Sequence, residues 1–367
     1  MKIGIDARLI NETGVGRYIR NLITELSRID TTNQYVAFLP GSAYEAFVLP
    51  NKKWEKRRCD IHWHTVKEQL LMPGIFLREH LDLLHVPYFN APIFYPKPYV
   101  LTIHDLTILH VTTGKATTLP KPLYWLRRLG YQLILRIGIK KACHIIAVSK
   151  ATKQDIIKSI GISEEKISVT YEGVDTRISR IQSKKPIIGN PYFLYVGNAY
   201  PHKNLEFHIK SFGVFLEKDS QKKHQLVLVG KDDFFYKRLK VWVSTLPYKN
   251  NIHFFGPADD QQLSSLYVNA ISFVFPSLME GFGLPALEAI VCGSPVICSD
   301  IPVFHELFGS IPTYVNPHDQ SSLVNAFEDT VIQTKTPLTE EEKKKIASYR
   351  WDTTAKETLH IYEGLSL

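Results

Sequence analysis

One stretch narrows the possible folds of this chain more than any other: residues 271–293. The apolar run 271–276 reads as a buried strand. Glu280-Gly281-Phe282-Gly283-Leu284-Pro285-Ala286-Leu287-Glu288 follows, and residues 286–292 read as a helix stopped by Gly293. A buried strand, a glycine turn and a helix in immediate succession form one unit of a parallel sheet. Pro285 suits the first helical position, where its missing N–H costs nothing. The first-turn N–H groups would then be free to hold an anion at the strand end.

The two acids flanking that turn suggest the ligand. Phosphate needs N–H donors and is repelled by carboxylates, whereas a sugar or ribose offers hydroxyl pairs that a carboxylate grips well. Glu280 before the turn and Glu288 one turn into the helix could hold two polyols on either side of a diphosphate. That describes a nucleotide-sugar.

The unit closely resembles the E-x7-E signature of the family-4 retaining glycosyltransferases, which have the GT-B fold. The resemblance implies that Glu280 contacts the donor sugar and Glu288 the ribose. It also implies that the backbone around Phe282, Gly283 and Leu284 meets the sugar and phosphates.

The rest of the chain is similar to that family in order. Strands are expected at residues 2–6, 35–39, 83–86, 99–103 and 144–148, with helices at 16–27 and 151–160. The polar stretch 180–186 ends in proline and reads as a linker. A second alternation starts at Tyr192, with strands at 193–197, 225–230, 252–255 and 295–298 and helices at 205–215, 260–269 and 321–332. Residues 340–365 read as helical. The β/α order implies parallel sheets with helices on both faces. The expected architecture is α/β: GT-B, two Rossmann-like doubly wound domains facing across a cleft. Residues 1–184 would form the acceptor-side domain and 185–345 the nucleotide-sugar domain. The resemblance implies that 346–367 is a helix crossing back to the first domain.

Weaker motifs fit the same picture. Gly14-Val15-Gly16-Arg17 follows the first strand, but Ile19 stands where a dinucleotide fingerprint needs its third glycine. By resemblance Gly14 and Gly16, with Arg17 beside them, lie near the donor phosphates. His104 and Asp105 follow a strand end, where polar groups face the crevice of an α/β sheet. The resemblance gives His104 a hydrogen bond to the donor sugar. Lys203, in Gly197-Asn198-Ala199-Tyr200-Pro201-His202-Lys203, could neutralise the departing diphosphate. Many family members carry Arg where Asn198 stands, so His202 or another cation would compensate, or the leaving group is held less tightly. Tyr171-Glu172-Gly173-Val174-Asp175 marks the domain junction. Glu172 replaces the family's usual Asn, which argues against a direct role. Ser149 is a plausible helix N-cap.

Composition limits the partners. Net charge is +8, unevenly placed: residues 1–184 carry 27 Lys and Arg against 16 Asp and Glu, and residues 185–367 carry 17 against 20. The basic half should attract an acidic partner, such as an anionic membrane surface, a phosphorylated lipid or nucleic acid. The run Lys52-Lys53-Trp54-Glu55-Lys56-Arg57-Arg58 supplies basic residues and one aromatic for membrane adherence. Cations in 124–141 do not gather on one helical face, so no clean interfacial helix is expected there. No 18-residue apolar run is present, and no signal peptide is expected from the charged start Lys2, Asp6 and Arg8. The four scattered cysteines suit free thiols in a reducing cytosol. His62 and His64 form a lone pair better suited to a strand or loop than to metal.

The expected protein is a cytoplasmic enzyme, possible peripheral contact with the inner face of the membrane included. It would move a hexose with retention from a nucleotide-sugar to a saccharide acceptor, lipid-linked or free. The wording of the 275–285 segment resembles bacterial polysaccharide mannosyltransferases and favours GDP-mannose; a UDP-hexose is the alternative. By resemblance the acceptor attacks from the front face, and domain closure would bring His104, Lys203 and Glu280 around the donor. No Asp-x-Asp occurs, so neither a cofactor nor a metal is expected. Two rivals stand beside this. A GT-B nucleotide-sugar epimerase would act on the donor without an acceptor. A nucleic-acid-binding protein would show steeply salt-dependent binding and no turnover.

Overall fold

A computed structural model describes residues 1–111, 121–174, 178, 186–219, 223–333 and 337–365. The described residues fall into two compact units: Met1–Gly173 with Tyr349–Leu367, and Val174–Ser348. The chain therefore changes unit at Gly173, ahead of the expected boundary at 184, and returns at Tyr349. Gly173 lies against the backbone of Trp351, where a Cβ would come within 2.2 Å of its nitrogen. That contact holds Gly173 to the C-terminal segment of its own unit. The expected linker at 180–186 lies outside the described residues except for Pro186, and so does Asp175.

In the first unit, β1 (Lys2–Asp6), β2 (Gln34–Leu39), β3 (Trp54–Arg58), β4 (Leu83–Val86), β5 (Tyr99–Ile103), β6 (His144–Ala147) and β7 (Ile167–Val169) form one sheet. Their order is β3-β2-β1-β4-β5-β6-β7, with every pair parallel. Its helices are α1 (Val15–Ile29), the single turn α2 (Gly41–Tyr44), α3 (Val66–Arg78), the single turn α4 (Thr107–His110), α5 (Lys121–Lys141) and α6 (Lys150–Ile160). Right-handed crossovers place α1 on one face of the sheet and α3, α5 and α6 on the other. The central strands β4 and β5 are buried throughout because both faces are covered, and their two polar residues, His85 and Thr102, pair with each other at 2.8 Å.

The second unit repeats the plan with β8 (Tyr192–Val196), α7 (Leu205–Lys218), β9 (Gln225–Val229), α8 (Phe234–Val243), β10 (Ile252–Gly256), α9 (Asp260–Asn269) and β11 (Ser272–Phe275). There follow α10 (Leu284–Val291), β12 (Val296–Ser299), α11 (Pro302–Phe308), β13 (Thr313–Val315), α12 (Gln320–Ile332) and α13 (Glu340–Ala347). Strand order is β10-β9-β8-β11-β12-β13, again parallel. The C-terminal helix α14 (Trp351–Gly364) belongs to the first unit and packs on α1. Residues 340–365 thus form two helices rather than one, interrupted at Ser348–Arg350.

The basic run at 52–58 was expected to offer cations and one aromatic for membrane adherence, and the structure withdraws the aromatic. The run forms edge strand β3, and Trp54 is buried and stacked on Tyr35 at 4.3 Å. Lys56 donates to the carbonyls of Tyr44 and Phe47, Arg57 pairs with Glu55 and Glu79, and Arg58 pairs with Asp60. Pairing with the β2 edge draws the indole inward, and the neighbouring acids neutralise the arginines.

Candidate active site

Each sheet reverses its order once, between β1 and β4 in the first unit and between β8 and β11 in the second. Loops leaving the C-terminal ends of the strands beside such a reversal diverge to opposite faces and open a crevice. The sequence-predicted residues of the second unit lie on those two loops and on α10, which the second loop enters.

The loop after β8 begins at Gly197 and runs through a 3-10 turn, Pro201–Lys203, to Asn204, which takes a left-handed conformation at φ +61°. The Asn204 amide donates to the Pro317 carbonyl at 2.9 Å, and this holds the turn in place. The loop after β11 meets it where Leu278 N–H donates to the His202 carbonyl at 2.7 Å. This juxtaposition brings Lys203 Nζ to 2.6 Å from Glu280 Oε1, with both side chains largely shielded from solvent. The ammonium also lies 5.2 Å from the Phe275 ring centre. Such a pair, with an aromatic face behind the cation, is electrostatically strong because little water screens it.

Glu288 lies on α10 and is only 2% exposed. Tyr267 on α9 donates its hydroxyl to Glu288 Oε2 at 3.1 Å. Gly283 is the N-cap of α10 at φ +99°, with Leu284 and Pro285 as the first two helical residues. The anion-binding expectation for this terminus is narrower in the structure. Pro285 has no N–H, and the Ala286 N–H donates to the Gly283 carbonyl at 3.0 Å. In the first turn of α10 that leaves the Leu284 N–H to meet a phosphate. A Cβ on Gly283 would stand 2.8 Å from the Phe304 ring in a backbone region that side chains rarely adopt. Gly283→Ala is therefore expected to cost about 1–3 kcal/mol, read as a lower urea midpoint with an unchanged slope. Phe282 and Leu284 are buried. The Asn198 side chain accepts the Tyr200 N–H at 3.3 Å, so it braces its own loop.

In the first unit, Gly14 caps α1 at φ +66°. Gly16 has no room for a side chain, since a Cβ would lie 2.6 Å from the Ile10 carbonyl oxygen. Ser149 caps α6 by accepting the Thr152 N–H at 3.1 Å. His104 follows β5 and is mostly buried, with its ring edge-on to Tyr18 at 5.0 Å. Its Nδ1 lies 2.8 Å from Glu172 Oε1, and its Nε2 lies 3.2 Å from the Pro87 carbonyl. Glu172 was read as a positional marker with a direct role argued against, and the structure adds an indirect one. The acid that replaces the usual Asn holds His104. Burial disfavours the imidazolium, but Glu172 outweighs it and raises the His104 pKa above its ordinary value. With an acceptor facing each ring nitrogen, the doubly protonated ring satisfies both.

Sequence reasoning also missed a buried charge network beside the β1/β4 reversal. Arg8 pairs with Asp6 and with Glu68 on α3, both at 2.6 Å, and Asn90 donates to Glu68. Burial works against the Arg8 charge, and Asp6 and Glu68 more than restore it. The available signal was Asp6 and Arg8 at the end of the first strand. Among the described residues no group of three His, Cys, Asp or Glu is arranged to hold a metal ion.

The fold and site define a glycosyltransferase of GT-B architecture. The family model described as Glycosyltransferase Family 4 matches residues 13–178, and that described as Glycosyl transferases group 1 matches 178–346. The chain is 32% identical to the O-antigen chain mannosyltransferase RfbU of Salmonella typhimurium over 86% of this chain and 87% of that one. It is 26% identical to the O-antigen chain mannosyltransferase B of Escherichia coli over 96% of each. A solved sucrose-phosphate synthase from Thermosynechococcus elongatus superposes with a TM-score of 0.79, covering 99% of this chain and 98% of that one at 17% identity. This chain belongs to glycosyltransferase family 4. It is an enzyme that takes a nucleotide-sugar donor and a saccharide acceptor.

Proposed function

We propose that this enzyme transfers mannose from GDP-mannose, with retention, to a hydroxyl of a lipid-linked saccharide during polysaccharide or O-antigen assembly. The sugar is supported chiefly by the full-length likeness to two O-antigen mannosyltransferases. The chemistry is supported by Lys203 and Glu280 meeting at the β8/β11 reversal. In this reading Lys203 takes the charge that develops on the departing diphosphate. Glu280 accepts hydroxyl hydrogens of the transferred sugar, and Glu288 serves the ribose. Gly14, Gly16, Asn198, Phe282, Gly283 and Leu284 line the donor path, and His104 donates from Nε2 to the sugar. The reaction uses no metal, and the enzyme binds no nucleic acid. It works in the cytoplasm against the inner membrane face. No helix among the described residues is long and apolar enough to cross a membrane, which fits peripheral contact.

Thermal unfolding of the purified protein in a chelating buffer tests this reading. GDP and GDP-mannose should raise the melting temperature by several degrees, as ligands that bind the native state do. A shift with UDP and UDP-hexoses instead would overturn the donor. Silence towards every nucleotide would overturn the donor-site assignment.

A further inference from the structure

We propose that the outer faces of α3 and α5 form the surface by which this enzyme lies on an anionic bilayer. The proposal rests on the reading above that the acceptor is carried by a lipid, and it specifies where the chain meets that lipid phase.

The sequence alone suggested no one-sided helix at 124–141, because its cations are spread around the wheel. The structure removes one of them from the surface. Arg128 is buried and donates to the carbonyls of Val111 and Leu109 at 2.8 and 3.2 Å. With Arg128 facing inward, Trp125, Leu126, Leu129, Leu133, Arg136 and Lys140 form one exposed stripe, while Leu123, Arg127 and Lys141 are exposed outside it. At 3.6 residues per turn the six stripe residues fall within an arc of about 100°. The stripe is apolar at its N-terminal end and cationic at its C-terminal end. Leu126 is 68% exposed and Leu129 60%, the reverse of what a helix covering a core shows.

α3 repeats the arrangement. Val66, Leu70 and Leu77 are exposed and share an arc of about 40°, with Lys67 and Arg78 exposed beside them. Its one acid, Glu68, points inward to Arg8. The two helices are joined by a common strip of chain. Gln69 on α3 accepts the Ile93 N–H, and Lys141 on α5 donates to the Ile93 carbonyl. Phe94, next in sequence, is exposed. Tyr131 on α5 closes the other end by donating to the His64 carbonyl at 3.4 Å.

Charge decides what covers this surface. From Leu106 to Gln154 the sequence contains no Asp or Glu, while Lys and Arg recur throughout. A second copy docked on the same face would bring cations to cations with no acid on α5 to meet them, since a two-fold interface pairs like patches. An anionic leaflet satisfies both halves of the stripe: leucines enter the interfacial zone while Arg136, Lys140 and their neighbours meet phosphates. Neither helix is apolar enough to span.

The test is co-sedimentation of the full chain with vesicles of phosphatidylcholine alone and of phosphatidylcholine mixed with phosphatidylglycerol. Wild type should partition onto the mixed vesicles and far less onto the neutral ones. The triple variant Leu126→Ser, Leu129→Ser, Leu133→Ser should partition at least about tenfold less, with its melting temperature and its response to GDP and UDP unchanged. Arg136→Gln with Lys140→Gln should lose a similar factor at low salt and little at high salt. Val241→Ser, at an exposed apolar residue of the other unit, should match wild type. Equal partitioning of wild type and the triple variant would overturn the surface. So would a wild type that ignores vesicles, or one that forms a dimer which the triple variant converts to monomer without either binding lipid. Docking without any nucleotide response would instead overturn the donor reading and leave the surface standing.

Discussion

Glu280→Gln is expected to bind GDP several-fold more tightly than wild type, and Lys203→Ala about ten- to a hundredfold more weakly, although both lose turnover. The opposite signs follow from the 2.6 Å pair at the β8/β11 reversal. In the free enzyme each charge compensates the other, and little water reaches either. A nucleoside diphosphate brings negative charge that competes with Glu280 for the ammonium. Removing the Glu280 charge removes the competitor, so Lys203 is given wholly to the diphosphate. Removing Lys203 leaves a shielded carboxylate facing an anion, and the two repel. Turnover falls in both cases for different reasons. Without Lys203 the leaving group is poorly stabilised, which costs about a hundred- to a thousandfold in kcat. Without the Glu280 charge the sugar is poorly held. Calorimetric titration with GDP, alongside kcat, separates these. A pair that merely braced the fold would weaken nucleotide binding in both variants, and equal losses would sink the exchange of partners. The double variant matters too. Breaking one side of a shielded pair commonly costs about 3–5 kcal/mol of stability, while removing both charges costs less.

The chemistry of that pair was legible in the sequence, but the pairing was not. Lys203 and Glu280 each follow an apolar strand and precede a helix, so both were placed at strand ends. What brings them together is the neighbour relation of β8 and β11, set by a crossover that no local spacing encodes. Glu172 was read only as a positional marker because it stands where the family usually has Asn, and its pairing with His104 was not legible. It lies far in sequence from His104, and only the adjoining strands β5, β6 and β7 carry the two to one edge. The buried strands were the easiest elements to read, because burial on both faces leaves uninterrupted apolar runs. β3 was lost because only Trp54 of its residues is buried, so its charges read as a basic cluster rather than as a strand. α3 was lost as well. It carries Pro73 internally and exposes leucines, which blurs the periodicity on which a helix is recognised. On α5 the wheel had the right residues, but only the inward turn of Arg128 reveals which side faces out.

Glu172→Gln should move the alkaline fall of activity to lower pH, with little change at the acidic end. In the wild type, His104 is surrounded by groups that favour its charge. Glu172 faces Nδ1, the Pro87 carbonyl faces Nε2, and the Asp105 charge lies close enough to add to both. Burial works against the charge without prevailing. The hold on Nδ1 is a carboxylate at 2.8 Å and the hold on Nε2 a carbonyl at 3.2 Å, so Nε2 is the nitrogen that can turn to a sugar hydroxyl. While the ring is charged, Nε2–H donates. Once it loses a proton with Nδ1–H kept by Glu172, Nε2 becomes an acceptor and the proposed contact inverts. Activity should therefore decline as pH rises through the raised His104 pKa. Stability carries the same sign. A folded pKa above the unfolded value of about 6.5 gives a contribution that is complete below that value and fades as pH climbs through the folded one. A neutral amide at 172 removes the main support of the charge, so both declines begin earlier. The Asn variant, which restores the residue the family more often carries, should behave like Gln. Rate profiles and thermal melts of the three proteins across neutral and alkaline pH decide the matter. If the Gln profile lay on the wild-type curve while its melting temperature fell at every pH, Glu172 would be a brace for the loop and His104 would act without its charge.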